Sequence, residues 1–328
     1  MRALSVLLAF ALDLALGDPR LRWHPVRLLG GVIQGAERVA RRAFRDEFWG
    51  GVALAGGMVL LVSGADLCLM GALSTGLGGW ARQAGLLAAS SLAIYFCLSI
   101  RDLGDHVLAV VRAIEAAEAR RDPGDLWEPR RRVARIVGRD TGDLDRQGVL
   151  RACLESLAES TCDGVVAPLF YAVLGGAPLA LAHKTLSTLD SMVGYRNDRY
   201  RLLGRASARL DDWMNWVPAR LTVLLAALAA WCLGLDGRQA VRTAWRDGPG
   251  QPSPNSGFPE GAFAGALGVQ LGGPVRYQGR LVEKARLGEP MQVLDLKHLR
   301  LGLALMYATA LLALGLFLAV WALIFFRA

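Results

Sequence analysis

The chain is expected to be an all-α, polytopic integral membrane protein with broken or re-entrant helices and helical cytoplasmic loops. Three observations lead there. The composition is 53% apolar, with a mean hydropathy of +0.33. The apolar residues gather into runs at about 3–17, 50–73, 84–100, 164–182, 217–235 and 299–326, the signature of spanning helices. The formal net charge of +8 is nearly all arginine, because Lys184, Lys284 and Lys297 are the only lysines. Length alone would suggest about two soluble domains. The hydropathy argues instead for a single membrane-embedded domain over 1–328, with polar loops at 18–49, 101–162, 184–216 and 236–298.

The first run, 3–17, is short for a span and is interrupted by Asp13. No small-residue cleavage site follows it, so it reads as a retained segment. Prolines 19 and 25 make the next stretch turn-like. From Leu28 to Phe44 the pattern is helical and basic, which suits an anionic membrane surface. The second run carries Asp66 inside it. A link holding only Arg82 separates it from the third and is expected on the outer side. Segment 101–162 holds eleven arginines and is expected to be cytoplasmic.

Residues 164–182 are apolar but contain Pro168, Gly175, Gly176 and Pro178. Broken helices at membrane depth survive only where protein or a wet cavity satisfies the freed backbone groups. Loops 101–162 and 236–298 both look cytoplasmic, so an even number of crossings separates them. Either 164–182 and 217–235 both span, or both are re-entrant. The second reading keeps every polar motif on one face and is the expectation taken. Runs 217–235 and 299–326 are cleaner helices.

Chemistry concentrates between Arg151 and Arg220. Glu155, Glu159 and Asp163 recur every fourth residue, so a helix lines them on one face. Further on, Lys184, Asp190, Asn197, Asp211, Asp212, Asn215 and Arg220 crowd a block between apolar segments. Core formation does not call for such a density of acids, bases and amides. Glu155, Glu159, Asp163, Asp190, Asp211 and Asp212 are all candidates for Mg²⁺, which takes one or two carboxylates plus phosphate oxygens and water. The competing reading is a solvated helix face, or acids placed to suit a helix dipole. Lys184, Arg196, Arg199 and Arg220 flank the acids, and mixed signs suit a site where charge is transferred. Loop 247–261, with Asn255 and Glu260 among prolines, reads as a shaped loop. His24 and His183 accompany the motifs, where hydrogen-bonding or core roles are the commoner use.

Several function classes fall away. None of the lysines follows a glycine, so there is no GxxxxGK[ST], and no GxGxxG follows a strand pattern. Five cysteines show neither CxxC nor metal-ligand spacing. Basic charge spread over loops, without a recognised motif, argues against nucleic acid. A transporter is the rival on the residues alone, given Asp13, Asp66 and the broken run.

The run ALDLALGDPRLRWHPVRLLG resembles the N-terminal signature of the adenosylcobinamide-phosphate synthases of the cobalamin pathway (CobD/CbiB type), an integral-membrane family. So do ESLAESTCDGVVAPLFYAVLGGAPLALAHKTLSTLDSMVGYRNDRYRLLGRASARLDDWMNWVPARLT, SPNSGFPEGAFAGALGVQLGG and Tyr277-Gln278-Gly279. The likeness covers about residues 11 to 290. One departure is visible: the family usually has Ala-Glu-Asn where this chain has Ala158-Glu159-Ser160.

The resemblance implies an ATP-dependent amide ligation, with Mg²⁺ as cofactor. The f-side-chain carboxylate of adenosylcobyric acid would be joined to (R)-1-amino-2-propanol phosphate or an analogue, through an acyl phosphate. It assigns Glu155, Asp211 and Asp212 to the metal, and Lys184, Arg196 and Arg220 to phosphates. Glu159 or Asp190 would be the base. Asn197, Asn215, Asn255 and Glu260 would contact substrate, and Asp18, His24 and Arg27 would border its pocket. Expected partners are the two substrates, the lipid bilayer and other membrane enzymes of the pathway. The expected location is the inner membrane with the site facing the cytoplasm. A non-catalytic corrinoid carrier or sensor, or a structural scaffold, is the alternative.

Overall fold

In the computed structural model the described residues are 1–19, 24–120, 122, 124–195 and 197–325, with side chains to 323. The chain is 75% helical. Twelve α-helices are found among the described residues: α1 (Arg2–Leu16), α2 (Pro25–Ala43), α3 (Glu47–Gly76), α4 (Gly79–Tyr95), α5 (Ile100–Ala119), α6 (Trp127–Val133), α7 (Arg146–Thr161), α8 (Ala167–Val193), α9 (Arg205–Cys232), α10 (Gly237–Asp247), α11 (Gly257–Leu267) and α12 (Leu296–Phe325). Five helical stretches are long and apolar enough to cross a membrane: Glu47–Gly76, Gly79–Ala119, Arg146–Val193, Arg205–Cys232 and Leu296–Leu323. The protein is a multi-pass, all-α membrane protein. The first helix, at 15 residues, is not among the five.

The chain divides into two compact units. The first comprises 1–99, 167–215 and 314–328; the second, 100–166 and 216–313. In the first unit, α3 packs on α8 and α2, and α1 packs on α4. Ile33, Leu54, Met58, Leu186, Leu189 and Leu203 form its apolar core. Proline at the first position of α2 starts that helix where its missing N–H costs nothing. Asp46 caps α3 by accepting from Phe48 N at 2.8 Å.

The close approach of α3 to the 200–204 turn depends on Gly51, where an added Cβ would fall 2.0 Å from the Leu203 carbonyl oxygen. Gly51→Val is therefore expected to force the two apart at a cost of about 1–3 kcal/mol. Thermal unfolding in detergent should show a lower midpoint, and an unchanged midpoint would deny the contact.

The break expected in 164–182 is present at Gly176, whose φ of 73° interrupts α8 two residues before Pro178. The carbonyls freed ahead of the break, those of Val173 and Leu174, are satisfied within the first unit, and a further bond ties the helix beyond it. Arg2 donates to Leu174 O at 3.1 Å and Val173 O at 3.5 Å, and Ser63 Oγ donates to Pro178 O at 2.9 Å. A backbone interrupted in an apolar setting needs such partners.

In the second unit, every residue of α11 is buried. Its glycines recur at 257, 261 and 265, one face of a helix. A Cβ at Gly261 would meet Ala244 Cα at 2.9 Å, and one at Gly265 would meet Gln239 O at 2.3 Å. This face lets α10 and α11 pack backbone to backbone, as small-residue repeats do.

The loop 236–298, expected to be helical, also carries extended structure. Strands β1 (Leu271–Gly272) and β4 (Arg286–Leu287) pair antiparallel, as do β2 (Val275–Tyr277) and β3 (Arg280–Val282). The β2–β3 turn has positive φ at both Gln278 (49°) and Gly279 (77°), the geometry that matches strand twist in a two-residue hairpin. Asp140 holds that turn, accepting from Gln278 N at 3.1 Å and Gly279 N at 2.7 Å.

Candidate active site

Glu155 and Glu159 lie one turn apart on α7, as their spacing requires. Both belong to the second unit, and so does Glu260 on α11. Two cations join them: Arg139, from the loop after α6, and Lys284, from the segment after β3. Glu155 is 2% exposed. One of its oxygens forms an ion pair with Arg139, and the other accepts from Gly272 N at 2.6 Å. Gly272 has φ 75°, and a Cβ there would strike Ala285 O at 2.1 Å, so glycine is required for this N–H to point at the carboxylate.

Beside this pair is a cavity of about 310 Å³ lined by Arg139, Glu159, Ser253, Ser256, Tyr277 and Lys284 among others. The Glu159 side chain reaches solvent through the cavity, while protein surrounds it on its remaining sides. Glu260 is 1% exposed. Burial first, then the charges of Glu159 and Glu155, hold its carboxyl well above the usual range against the opposing pull of Lys284 and Arg139. Burial would lower Lys284, but Glu260, Tyr277 and Glu159 together outweigh it and keep its ammonium charged. Arg139 is likewise raised: burial opposes its charge, and Glu155, Tyr277 and Glu260 together outweigh burial. Three carboxyls face two fixed cations, so a proton on Glu260 balances the cluster.

That balance has a pH signature. Glu260 binds its proton more tightly folded than unfolded, so its contribution is fully present below the ordinary carboxyl value of 4.5. It is lost as pH rises through the higher folded value. Glu260→Gln keeps the uncharged form throughout. Its thermal midpoint relative to wild type is expected to climb steadily above about pH 4.5. A constant difference across pH would remove the raised acid from the account.

The other residues singled out in the sequence fall into smaller groups. Arg220 donates to Asn255 Oδ1 at 2.7 Å and Pro254 O at 3.1 Å, and lies 4.0 Å over the Phe258 ring. It thereby holds the 252–258 loop, whose Ser253 and Ser256 line the cavity. In the first unit, His183 Nε2 meets Asn215 Oδ1 at 2.9 Å, and Asn215 donates to Asp211 at 3.1 Å. The His183 ring stacks on Tyr171 at 5.3 Å. Asp212 and Asp190 are half-buried, and Lys184 lies six residues before Asp190 on the same helix. Asn197 accepts from Tyr200 N at 3.1 Å, a local turn cap. Asp18 pairs with His24 at 2.5 Å, and Arg27 is exposed. Arg196 lies outside the described residues.

The sequence reading thus finds three members of the charged cluster, Glu155, Glu159 and Glu260. It misses Arg139, Lys284 and Tyr277 as site residues. One signal was available for Lys284: it is one of only three lysines in an arginine-rich chain. Of the proposed metal set, Glu155 belongs to the second unit and Asp211 and Asp212 to the first. Among the described residues, no three His, Cys, Asp or Glu side chains converge as a metal cage. A magnesium ion takes one or two carboxylates plus phosphate oxygens and water, a set that substrate phosphates can largely supply.

Together these features define a polytopic α-helical membrane protein with a buried, mixed-sign charge cluster opening on a cavity. A family model described as CobD/Cbib protein matches residues 6–306. The chain is 46% identical over 312 residues to cobalamin biosynthesis protein CobD of Geobacter metallireducens, covering 92% of this chain and 91% of that one. It is 44% identical over 309 residues to the CobD of Pelobacter propionicus, with 93% and 90% covered. To cobalamin biosynthesis protein CbiB of Salmonella arizonae it is 38% identical over 328 residues, with 97% of each chain covered. No solved structure matches. The chain belongs to the CobD/CbiB family of cobalamin biosynthesis proteins.

Proposed function

We propose that this member of the family is the adenosylcobinamide-phosphate synthase, an ATP-dependent ligase forming an amide between adenosylcobyric acid and an amino-alcohol phosphate. The supporting observation is the cavity in which Glu159 meets Lys284 and Arg139, with Glu260 buried behind. The reaction demands both signs of charge. A carboxylate and an ammonium do not condense, so ATP first phosphorylates the carboxylate, releasing ADP. The neutral amine then attacks the acyl carbon and phosphate leaves.

Lys284, with an ammonium held charged by its acidic neighbours, is suited to the phosphoryl oxygens where negative charge accumulates. Arg139 is already shared with Glu155, so it fixes the rim and contributes field. Glu159 faces the open cavity and is suited to take the ammonium proton, making the amine a nucleophile. Magnesium bound to nucleotide phosphates would neutralise their charge, with phosphate oxygens and water as its main ligands. The inner membrane, with this cavity facing the cytoplasm where ATP is found, is the location that suits the reaction.

The test is phosphate release from ATP by the detergent-purified protein, with each substrate omitted in turn. Release that requires both, with a new corrinoid amide by mass, is the expected result. Corrinoid binding without ATP consumption would replace the ligase with a carrier.

A further inference from the structure

We infer that the first unit carries a binding site for one anionic phospholipid, in the groove between the N-terminal ends of α3 and α9. The groove has a volume of about 510 Å³ and is lined by Phe48, Val52, Arg205, Arg209, Leu210 and Trp213. Its walls are apolar except for the two arginines. Arg205 and Arg209 are four residues apart on α9 and so share a face. Both are exposed, and among the described residues neither guanidinium has an ion-pair partner. Arg205 lies 5.9 Å over the Phe48 ring, which fixes it at the mouth. The acids closest in sequence on α3 are already engaged: Asp46 caps the helix, and Glu47 pairs with Arg41 at 2.8 Å.

The groove's depth in the membrane follows from the same residues. It lies at the first turns of two helices long and apolar enough to span. Trp49 and Trp213, 58% and 71% exposed, stand there with the arginines. Exposed tryptophans beside basic residues at a span's end mark the headgroup level.

One occupant satisfies both halves of the groove. A free phosphate would answer the arginines and leave the Val52, Leu210 and Trp213 wall bare. A zwitterionic phospholipid would cover the wall and offer the same phosphate, but it adds a quaternary ammonium beside two arginines that repel it. An anionic phospholipid sets its phosphate between the guanidiniums and lays one acyl chain along the apolar wall.

The test is native mass spectrometry of the full chain released from bilayers of phosphatidylglycerol mixed with phosphatidylcholine. Wild type is expected to retain one phosphatidylglycerol in preference to phosphatidylcholine. Arg205→Gln with Arg209→Gln should reduce that preference at least about tenfold, since even one lost charge-assisted contact accounts for that much. Val52→Trp, which fills the groove and leaves both arginines, should also lower retention. Equal retention of the two lipids by wild type, or unchanged retention in either variant, would overturn the site. Displacement by excess inorganic phosphate would show an anion site without a lipid, and would overturn it too.

Discussion

Lys284→Met is expected to reduce amide formation by about a hundredfold to a thousandfold, the range seen when a preorganised charge is removed from a transition state. Methionine keeps the length and apolar stem, so the cavity wall survives while its cation is lost. Two consequences separate a catalytic loss from a structural one. The protein should remain monodisperse in detergent. Lys284→Arg should recover part of the rate, because it restores the charge in a different shape. Steady-state kinetics of phosphate release with both substrates would measure this. A rate within a few-fold of wild type in Lys284→Met would remove Lys284 from the proposed mechanism.

Arg139→Ala is expected to cost about 3–5 kcal/mol of stability, because it strands the buried Glu155 carboxylate beside two further acids. The Gly272 N–H at 2.6 Å cannot balance a whole charge. Pairing the substitution with Glu155→Gln should return much of the loss, since the neutral amide still accepts from Gly272. Thermal unfolding of the two singles and the double gives the coupling directly. Additive effects would mean that the ion pair does not hold the loop.

The long apolar helices were legible because runs of that length have few other uses, and the Gly176 break because glycine and proline stood together in one of them. Runs 164–182 and 217–235 were expected to be re-entrant, whereas the helical stretches that hold them are both long and apolar enough to span. Glu155 and Glu159 were legible through helical spacing, which fixes neighbours on one element. The partners Arg139 and Lys284 were not, because they come from loops far off in sequence. Nothing local distinguishes Arg139 from the ten other arginines of segment 101–162. Arg220 shows the opposite case. Its place in a polar block suggested a phosphate clamp, whereas its hydrogen bonds hold the loop at 254–255. The hairpin at 275–282 was hidden because three-residue strands leave almost no periodicity to read.

Arg2 and the broken helix it caps are separated by more than 170 residues of chain. During synthesis Arg2 therefore waits for a segment made much later. Until α8 arrives, Arg2 has no Val173 or Leu174 carbonyl to bond. Losing Arg2 would leave those carbonyls without that donor in the finished protein. Arg2→Ala should lower the yield of inserted, detergent-stable protein, an effect on biogenesis in the membrane more than on the finished site.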